Sequence, residues 1–302
     1  MRKILLILPT IEYPDNFKSM TVQQTPQVMG IINANNESFF SSSRFTAAEE
    51  IGREISNMIS FGASIIDIGA CSTRPGSTPV TQEQEWDYLR VALDVVEKRF
   101  MGAVSPCGEP VKFSIDTFRS EIVRRSYDII GKFIVNDISA GEDDPRMLPT
   151  VGELDLPYIA MHKRGTPATM QQMCDYPNGV VEEVIRYFKE FEQRASQYGI
   201  TEYIMDPGFG FAKNLAQNYT LFRGMPRLVE EIMHYSGKRR KLLVGISRKG
   251  MIWRPLGITP DEALCGTVAM NLQALMLGAD IIRVHDVKEG MQCVKLWECL
   301  TS

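Results

Sequence analysis

Eight apolar runs in the chain each end on side chains that can bind a ligand or do chemistry. The first, "QVMGIIN", ends on Asn33 and passes into "ANNESFF", where Asn35 and Asn36 add two more neutral amides. Amides cost less to desolvate than charges, and they hold a cation or polar ligand without titrating. The second and third runs carry carboxylates inside apolar sequence, Asp67 in "SIIDIG" and Asp116 in "VKFSID". A buried carboxylate costs on the order of several kcal/mol unless it is paired or hydrogen-bonded, so each needs a cation, donors or a ligand. The other runs end on Asn136 and Asp137, on His162 in "HKRG", and on Asp206 in "DPGFGFAK". Two more end on Ser247, Arg248 and Lys249 in "SRKG", and on Arg283, His285 and Asp286 in "RVHD". Arg283 and His285 alternate along their run, so both face one side of a strand. Such a pair suits a strongly anionic group, which His285 serves as imidazolium or as neutral donor. No Ser-His-Asp set and no thiol in a cationic niche argues for a covalent intermediate.

These residues act together only if the fold gathers them. The runs occupy 27–33, 64–69, 111–116, 132–137, 157–162, 203–208, 241–247 and 280–285. None alternates cleanly with polar residues, so each reads as a strand buried on both faces, as in a parallel sheet. Helical patterns lie between them. Thr46 with Glu49, and Thr81 with Gln84, read as capping boxes. Val181, Val184, Ile185, Phe188 and Phe191 form an apolar stripe at helical spacing. Thr259-Pro260-Asp261-Glu262 reads as a helix start, and Gly278 as that helix's end. "RSEIVRRSY" is short and amphipathic, while "DPRMLPTVGEL" is broken by Pro149.

Eight strand-then-helix units predict an α/β fold, a (β/α)8 TIM barrel, whose active site lies at the C-terminal ends of the strands. A doubly wound open sheet is the alternative, but no G-x-G-x-x-G follows the first strand. Residues 1–25 read as an N-terminal strand or hairpin extension that plugs the barrel floor, and 26–302 as the barrel.

The 302-residue chain is 44% hydrophobic and 23% charged, as for a soluble globular protein. Its formal charge of −4 offers no basic footprint for nucleic acid. The six cysteines form no C-x-x-C pair and no metal-type spacing, so a reduced cytoplasmic chain is expected. "MRKILLILP" is too short in its apolar run for a signal peptide and reads better as a strand. No stretch approaches the roughly 20 apolar residues of a membrane span.

Taken in order, "GASIIDIGACSTRPG", "SIDT", "VNDIS", "MHKRGTP", "DPGFGFAK", "GISRKGMI" and "IIRVHDV" resemble dihydropteroate synthase, the pterin-binding TIM-barrel family of folate synthesis. The resemblance runs from about Met29 to Val287. It implies a transferase that joins 6-hydroxymethyl-7,8-dihydropterin diphosphate to 4-aminobenzoate with Mg²⁺, and that sulfonamides mimic the aminobenzoate. By resemblance, Asp206 takes the amino-pyrimidinone edge of the pterin, with Asp116 and Asn136 as further contacts. Phe211 stacks on the ring, Met161 lines the pocket, and Lys249 meets the ring carbonyl and nitrogen. Arg283, His285, Asn33, Thr73 and Arg74 form the diphosphate cradle, with the Asn33 amide oxygen on Mg²⁺, as sparse oxygen ligation suits this ion. Ser247, Arg248, Phe39 and Pro75 take the aminobenzoate side. Arg283, His285, Lys249 and Glu37 carry the catalysis. Asp67 matches no transferred contact: it either serves structure, bonding Arg283 or a loop amide, or answers to a ligand. Family members are commonly homodimers, and the apolar helix 261–277 is the candidate surface.

The chain departs from the family in two loops. The first reads "NANNESF" where "NVTPDSF" is usual, so Glu37 replaces a shorter acid and the proline is lost, which frees the backbone. The second reads "GACST" for "GGEST", with Cys71 in place of an acid. These changes bear on aminobenzoate and sulfonamide rather than on the pterin. Two other functions remain open: a methyltetrahydrofolate-binding methyltransferase, which needs no diphosphate cradle, and a non-catalytic pterin-binding paralogue.

Overall fold

The computed structural model describes residues 25–35, 44–71, 80–166 and 169–302. The expected N-terminal extension lies almost wholly outside these residues, as do Glu37, Phe39, Thr73, Arg74 and Pro75.

The eight apolar runs are the eight strands, shortened at their ends. They are β1 (Gln27–Asn33), β2 (Ile65–Gly69), β3 (Lys112–Asp116) and β4 (Ile134–Asp137). β5 (Tyr158–Met161), β6 (Tyr203–Asp206), β7 (Lys241–Val244) and β8 (Ile281–Val284) follow. Each pairs in parallel with its sequence neighbour, and β1 pairs with β8 to close the barrel. Closure excludes the open doubly wound sheet.

Alternation along the strands divides their side chains between two environments. Met29, Ile65, Ile134, Ile159, Leu243 and Ile281, with Ile204 against them, form a separate cluster inside the barrel. One stride further along the same faces stand Asp67, Asn136, Met161, Asp206 and Arg283. The opposite faces, including Val28, Ile32, Ile66, Ile68 and Val135, belong to the main core with the helices. Burial on both faces is why no strand showed a polar alternation.

The helices are α1 (Arg44–Phe61), α2 (Gln82–Arg99), α3 (Ser120–Ile130), α4 (Met147–Glu153) and α5 (Val180–Ser196). After them come α6 (Leu215–Arg223), α7 (Met225–Ser236), α8 (Gly250–Leu256), α9 (Leu264–Met276) and α10 (Val287–Thr301). Two expected starts are corrected. α1 already includes Thr46, whereas an N-cap needs extended backbone. The Thr259–Glu262 contact forms, but both the Thr259 amide and its hydroxyl donate to Glu262 Oε2, at 2.9 Å each. The hydroxyl is thus a donor rather than the acceptor a cap requires, and α9 begins only at Leu264. Thr81 does cap α2: Gln84 N donates to its hydroxyl at 3.2 Å, and Thr81 N donates to Gln84 Oε1 at 2.9 Å. Pro149 falls in the first turn of α4, where its missing N–H is tolerated.

A cavity of about 720 Å³ opens at the opposite end from the polar strand ends, lined by Lys112, Phe113, Tyr158, Tyr203 and Lys241. It lies at the strand starts and holds none of the candidate site residues. No helix among the described residues is long and apolar enough to cross a membrane.

Replacing Thr81 by Ala is expected to cost about 1 kcal/mol, the usual worth of an N-cap. A urea titration should show a lower midpoint at unchanged slope.

Candidate active site

Arg283 is the hub of a charge cluster at the barrel mouth. Its Nε donates to Asp67 Oδ2 at 2.7 Å, and its Nη2 lies 2.6 Å from the same oxygen. Nη2 also donates to Asp116 Oδ2 at 2.7 Å. Asn136 Nδ2 donates to Asp67 Oδ2 at 3.1 Å. Strands β2, β3, β4 and β8 are thereby joined through one oxygen and one guanidinium. Asp67 is fully buried, and its other oxygen has no partner among the described residues. The bond to Arg283, one expectation for Asp67, is present. Neighbouring Asp137 points the other way and receives Tyr158 OH at 2.6 Å, the Ser139 hydroxyl at 2.7 Å and two loop amides. Of the two polar residues ending β4, only Asn136 therefore faces the mouth.

Burial works against charge on Arg283, but Asp67 and Asp116 outweigh it and hold the guanidinium pKa above its ordinary value. The pair of acids has one cation between them. Burial pushes the Asp116 carboxyl up to about 7, with Arg283 opposing the shift and Asp67 adding to it.

The β6 end supplies Asp206, which is buried and accepts from Gly208 N at 2.8 Å. Its backbone carbonyl receives His162 N at 3.0 Å, so β5 and β6 stay paired to the rim. Met161 pairs with Asp206 in register and is buried beside it. Burial raises the Asp206 pKa, with Lys249 and the Gly208 amide pulling it back. Lys249 Nζ donates to Phe209 O at 2.6 Å and stands 5.0 Å over the Phe211 ring. Phe211 is half-buried and Phe209 fully buried, so it is Phe211 that reaches the mouth.

Beyond β7, Ser247 Oγ lies 3.0 Å from His285 Nδ1. This contact joins two residues expected on different substrates. Arg248 is at a φ of 53° and holds Asp286 through two bonds of 2.9 Å each. It also donates to the carbonyls of Pro260 and Asp261 at 3.2 and 2.7 Å. Much of its guanidinium is thus spent on bracing the loops after β7 and β8. Asn33 ends β1 beside Gly69 and is exposed. No group of three His, Cys, Asp or Glu able to hold a metal occurs among the described residues.

Residues 29–285 match the family model described as "Pterin binding enzyme". The dihydropteroate synthase of Escherichia coli (strain K12) is 39% identical over 279 residues, 92% of each chain. This chain belongs to the dihydropteroate synthase family of pterin-binding enzymes. Among solved structures, the Yersinia pestis dihydropteroate synthase with a sulfonamide drug complex superposes with a TM-score of 0.79 at 33% identity, covering 91% of this chain and 94% of that one. The Xanthomonas albilineans dihydropteroate synthase with 4-aminobenzoic acid gives 0.78 at 32% identity, covering 92% and 94%.

Within that family frame, sequence reasoning missed the Ser247–His285 contact and the bracing role of Arg248. Neither has a local signal, because each pairs loops about forty residues apart. It also passed over Lys213, the last letter of "DPGFGFAK", which is buried and bonded to His162. Cys71 sits where burial, helped by Glu85, raises its thiol pKa, in keeping with an inert small residue.

An acid whose folded pKa lies above its unfolded value costs stability once pH exceeds the unfolded value. For Asp116 that cost begins near 3.8, grows with rising pH, and levels off near 7. Urea midpoints of the wild type should therefore fall between pH 4.5 and pH 8, and those of Asp116→Asn should fall less over the same range. Parallel curves for the two proteins would remove Asp116 as the holder of the extra proton.

Proposed function

We propose that this chain condenses 6-hydroxymethyl-7,8-dihydropterin diphosphate with 4-aminobenzoate, releasing diphosphate and giving 7,8-dihydropteroate in folate biosynthesis. It is a transferase of an alkyl group other than methyl. The observation that carries this reading is the sharing of family and barrel mouth: acids from β2, β3 and β6 and cations from β8 converge in a chain 39% identical to a dihydropteroate synthase.

In this reading, Asp206, Asp116 and Asn136 take the pterin's ring donors, since a carboxylate accepts two N–H groups in its plane. Phe211 covers the ring, Met161 lines the pocket, and Lys249 meets the ring carbonyl and nitrogen. Arg283, His285 and Asn33, with Thr73 and Arg74, surround the diphosphate. Ser247, Arg248, Phe39 and Pro75 take the aminobenzoate. When bound, Mg²⁺ on the Asn33 amide oxygen would neutralise part of the diphosphate charge.

The chemistry is a substitution at the exocyclic CH₂. The C–O bond breaks, its electron pair leaves with diphosphate, the aryl amine's lone pair forms the new C–N bond, and the nitrogen then gives up one proton to the departing diphosphate or to water. Positive charge on the carbon is spread into the electron-rich ring. Arg283 offsets the charge developing on the leaving oxygen, and it is held in place beforehand by Asp67 and Asp116. Orientation and electrostatics thus do the work, with no covalent intermediate. The methyltransferase reading is disfavoured, because a methyl donor has no use for the cationic end of β8, and the idle-paralogue reading has the altered first loop as its only support. We also infer a cytoplasmic homodimer through α9, which sedimentation at micromolar concentration would reveal as a doubled mass.

The direct test incubates pterin diphosphate, 4-aminobenzoate and Mg²⁺ with the protein and measures dihydropteroate and diphosphate. Product is expected, with loss on chelation and recovery on adding Mg²⁺. Arg283→Met should lower kcat by about 10²–10³-fold, as for loss of a charge-stabilising donor. Glu37→Gln should lower turnover more than it weakens pterin diphosphate binding, and unchanged turnover would take Glu37 out of the mechanism. Pterin binding without product would sink the synthase reading itself.

A further inference from the structure

The segment between β6 and α6 presents Asp206 and Phe211, yet its backbone is unfavourable on its own. Gly208, Gly210 and Ala212 sit at φ of 68°, 85° and 50°. Alanine pays a steric cost there that glycine does not. Gly208 also approaches β5 so closely that an added Cβ would stand 1.9 Å from His162 O. In such a path the peptide carbonyls cannot join a regular ladder, and a buried carbonyl without a donor is costly.

Lys213 meets that need at Phe211 O and adds a second donor to Gly208 O, which also accepts from Phe211 N at 3.1 Å. Its side chain is buried, and its Nζ lies 2.9 Å from Gly208 O, 3.0 Å from Phe211 O and 2.9 Å from His162 Nδ1. An ammonium has three protons, and here are three acceptors. With Lys213 as ammonium, His162 Nδ1 is the acceptor, and burial followed by Lys213 and Arg164 keeps that ring neutral. The ring is packed edge-on against Tyr187, with centroids 4.8 Å apart. Neighbouring groups are held too: Ala212 O by Tyr176 OH at 3.0 Å, and Lys213 O by Asn218 Nδ2 at 3.0 Å.

We propose that Lys213 is a positioning residue for pterin binding: its buried ammonium, anchored on the neutral His162 ring, holds the loop that aims Asp206 and Phe211 at the pterin. Lys213 acts through the loop backbone rather than on substrate. Independent anchors keep the fold in place without it, since β6 precedes the loop and the Asn214–Gln217 capping box starts α6. Burial lowers the lysine pKa to about 7, with Asp206 opposing, so Asp206 also helps keep the clamp charged. The inference rests on the pterin-binding part of the function proposed above.

The test titrates 6-hydroxymethylpterin calorimetrically into wild type, Lys213→Met and His162→Phe, and measures both KM values where turnover occurs. Lys213→Met keeps the apolar stem and removes the donors. Its pterin Kd should rise about tenfold or more, the worth of charge-assisted bonds, while the KM for 4-aminobenzoate stays unchanged. His162→Phe keeps an aromatic ring against Tyr187 but leaves Lys213 two acceptors, and its pterin Kd should rise about threefold. If Lys213→Met does not fold, His162→Phe decides the matter. An unchanged pterin Kd in a folded variant, or an equal rise in both KM values, overturns the proposal, since a merely structural role moves thermal stability without that split. Because the titration needs no turnover, a wild type that binds pterin but makes no dihydropteroate defeats the synthase reading alone. A wild type that binds no pterin defeats both.

Discussion

The pairing of Arg283 with Asp67 and Asp116 is the constraint on which the mouth of the barrel depends. Three charges sit just above an apolar layer of Ile, Leu and Met side chains, where unpaired ions would be prohibitive. They persist because each meets its partner at hydrogen-bond distance, and that requires β2, β3 and β8 to stand where a closed barrel puts them. The same pairing prepares Arg283 for an anion. In the proposed reaction, a free arginine would lose several rotamers on meeting diphosphate, while this one has already lost them in folding. Two acids around one cation also leave surplus negative charge, relieved in part by the raised Asp116 pKa.

Above that layer the site passes from strands to loops, and rigidity has to be supplied differently. Asp206 stands on a strand end and inherits the precision of the sheet. Phe211 stands on a loop whose carbonyls are taken up by side chains: two by Lys213 within the loop, and others by Tyr176 before α5, Asn218 of α6 and Lys249 of the β7–α8 turn. On the other side of the mouth, Arg248 ties Asp286 to the carbonyls before α9, and Ser247 touches His285. In the proposed reading, the barrel thus offers a firm acidic floor for a heterocycle and a cross-braced cationic rim for its charged tail.

Several of these features were legible beforehand because they are local. A strand buried on both faces must be an apolar run, and all eight runs became strands. The Thr81–Gln84 box spans four residues and formed. The Thr259–Glu262 pair formed too, but with its hydroxyl turned from acceptor to donor, a reversal that residue types do not reveal. Thr46 looked like a cap because Glu49 follows at the right distance, while the actual start depends on residues further upstream. Asp137 and Asn136 are adjacent and chemically similar. Only strand register sends one to the mouth and the other to Tyr158.

By itself, the sequence determined the barrel, the order of its elements, and the identity of most polar groups at the strand ends. Those follow from local patterns of burial, repeated eight times, and from motifs in the family's order. The tertiary structure alone decided which of these groups face one another: that Asp67 serves Arg283, that Arg248 braces rather than stands free, and that Lys213 reaches His162. Such pairings join residues from a dozen to more than two hundred positions apart. Their geometry is set by strand register and barrel closure, which act through space and leave no trace in the spacing of residues along the chain.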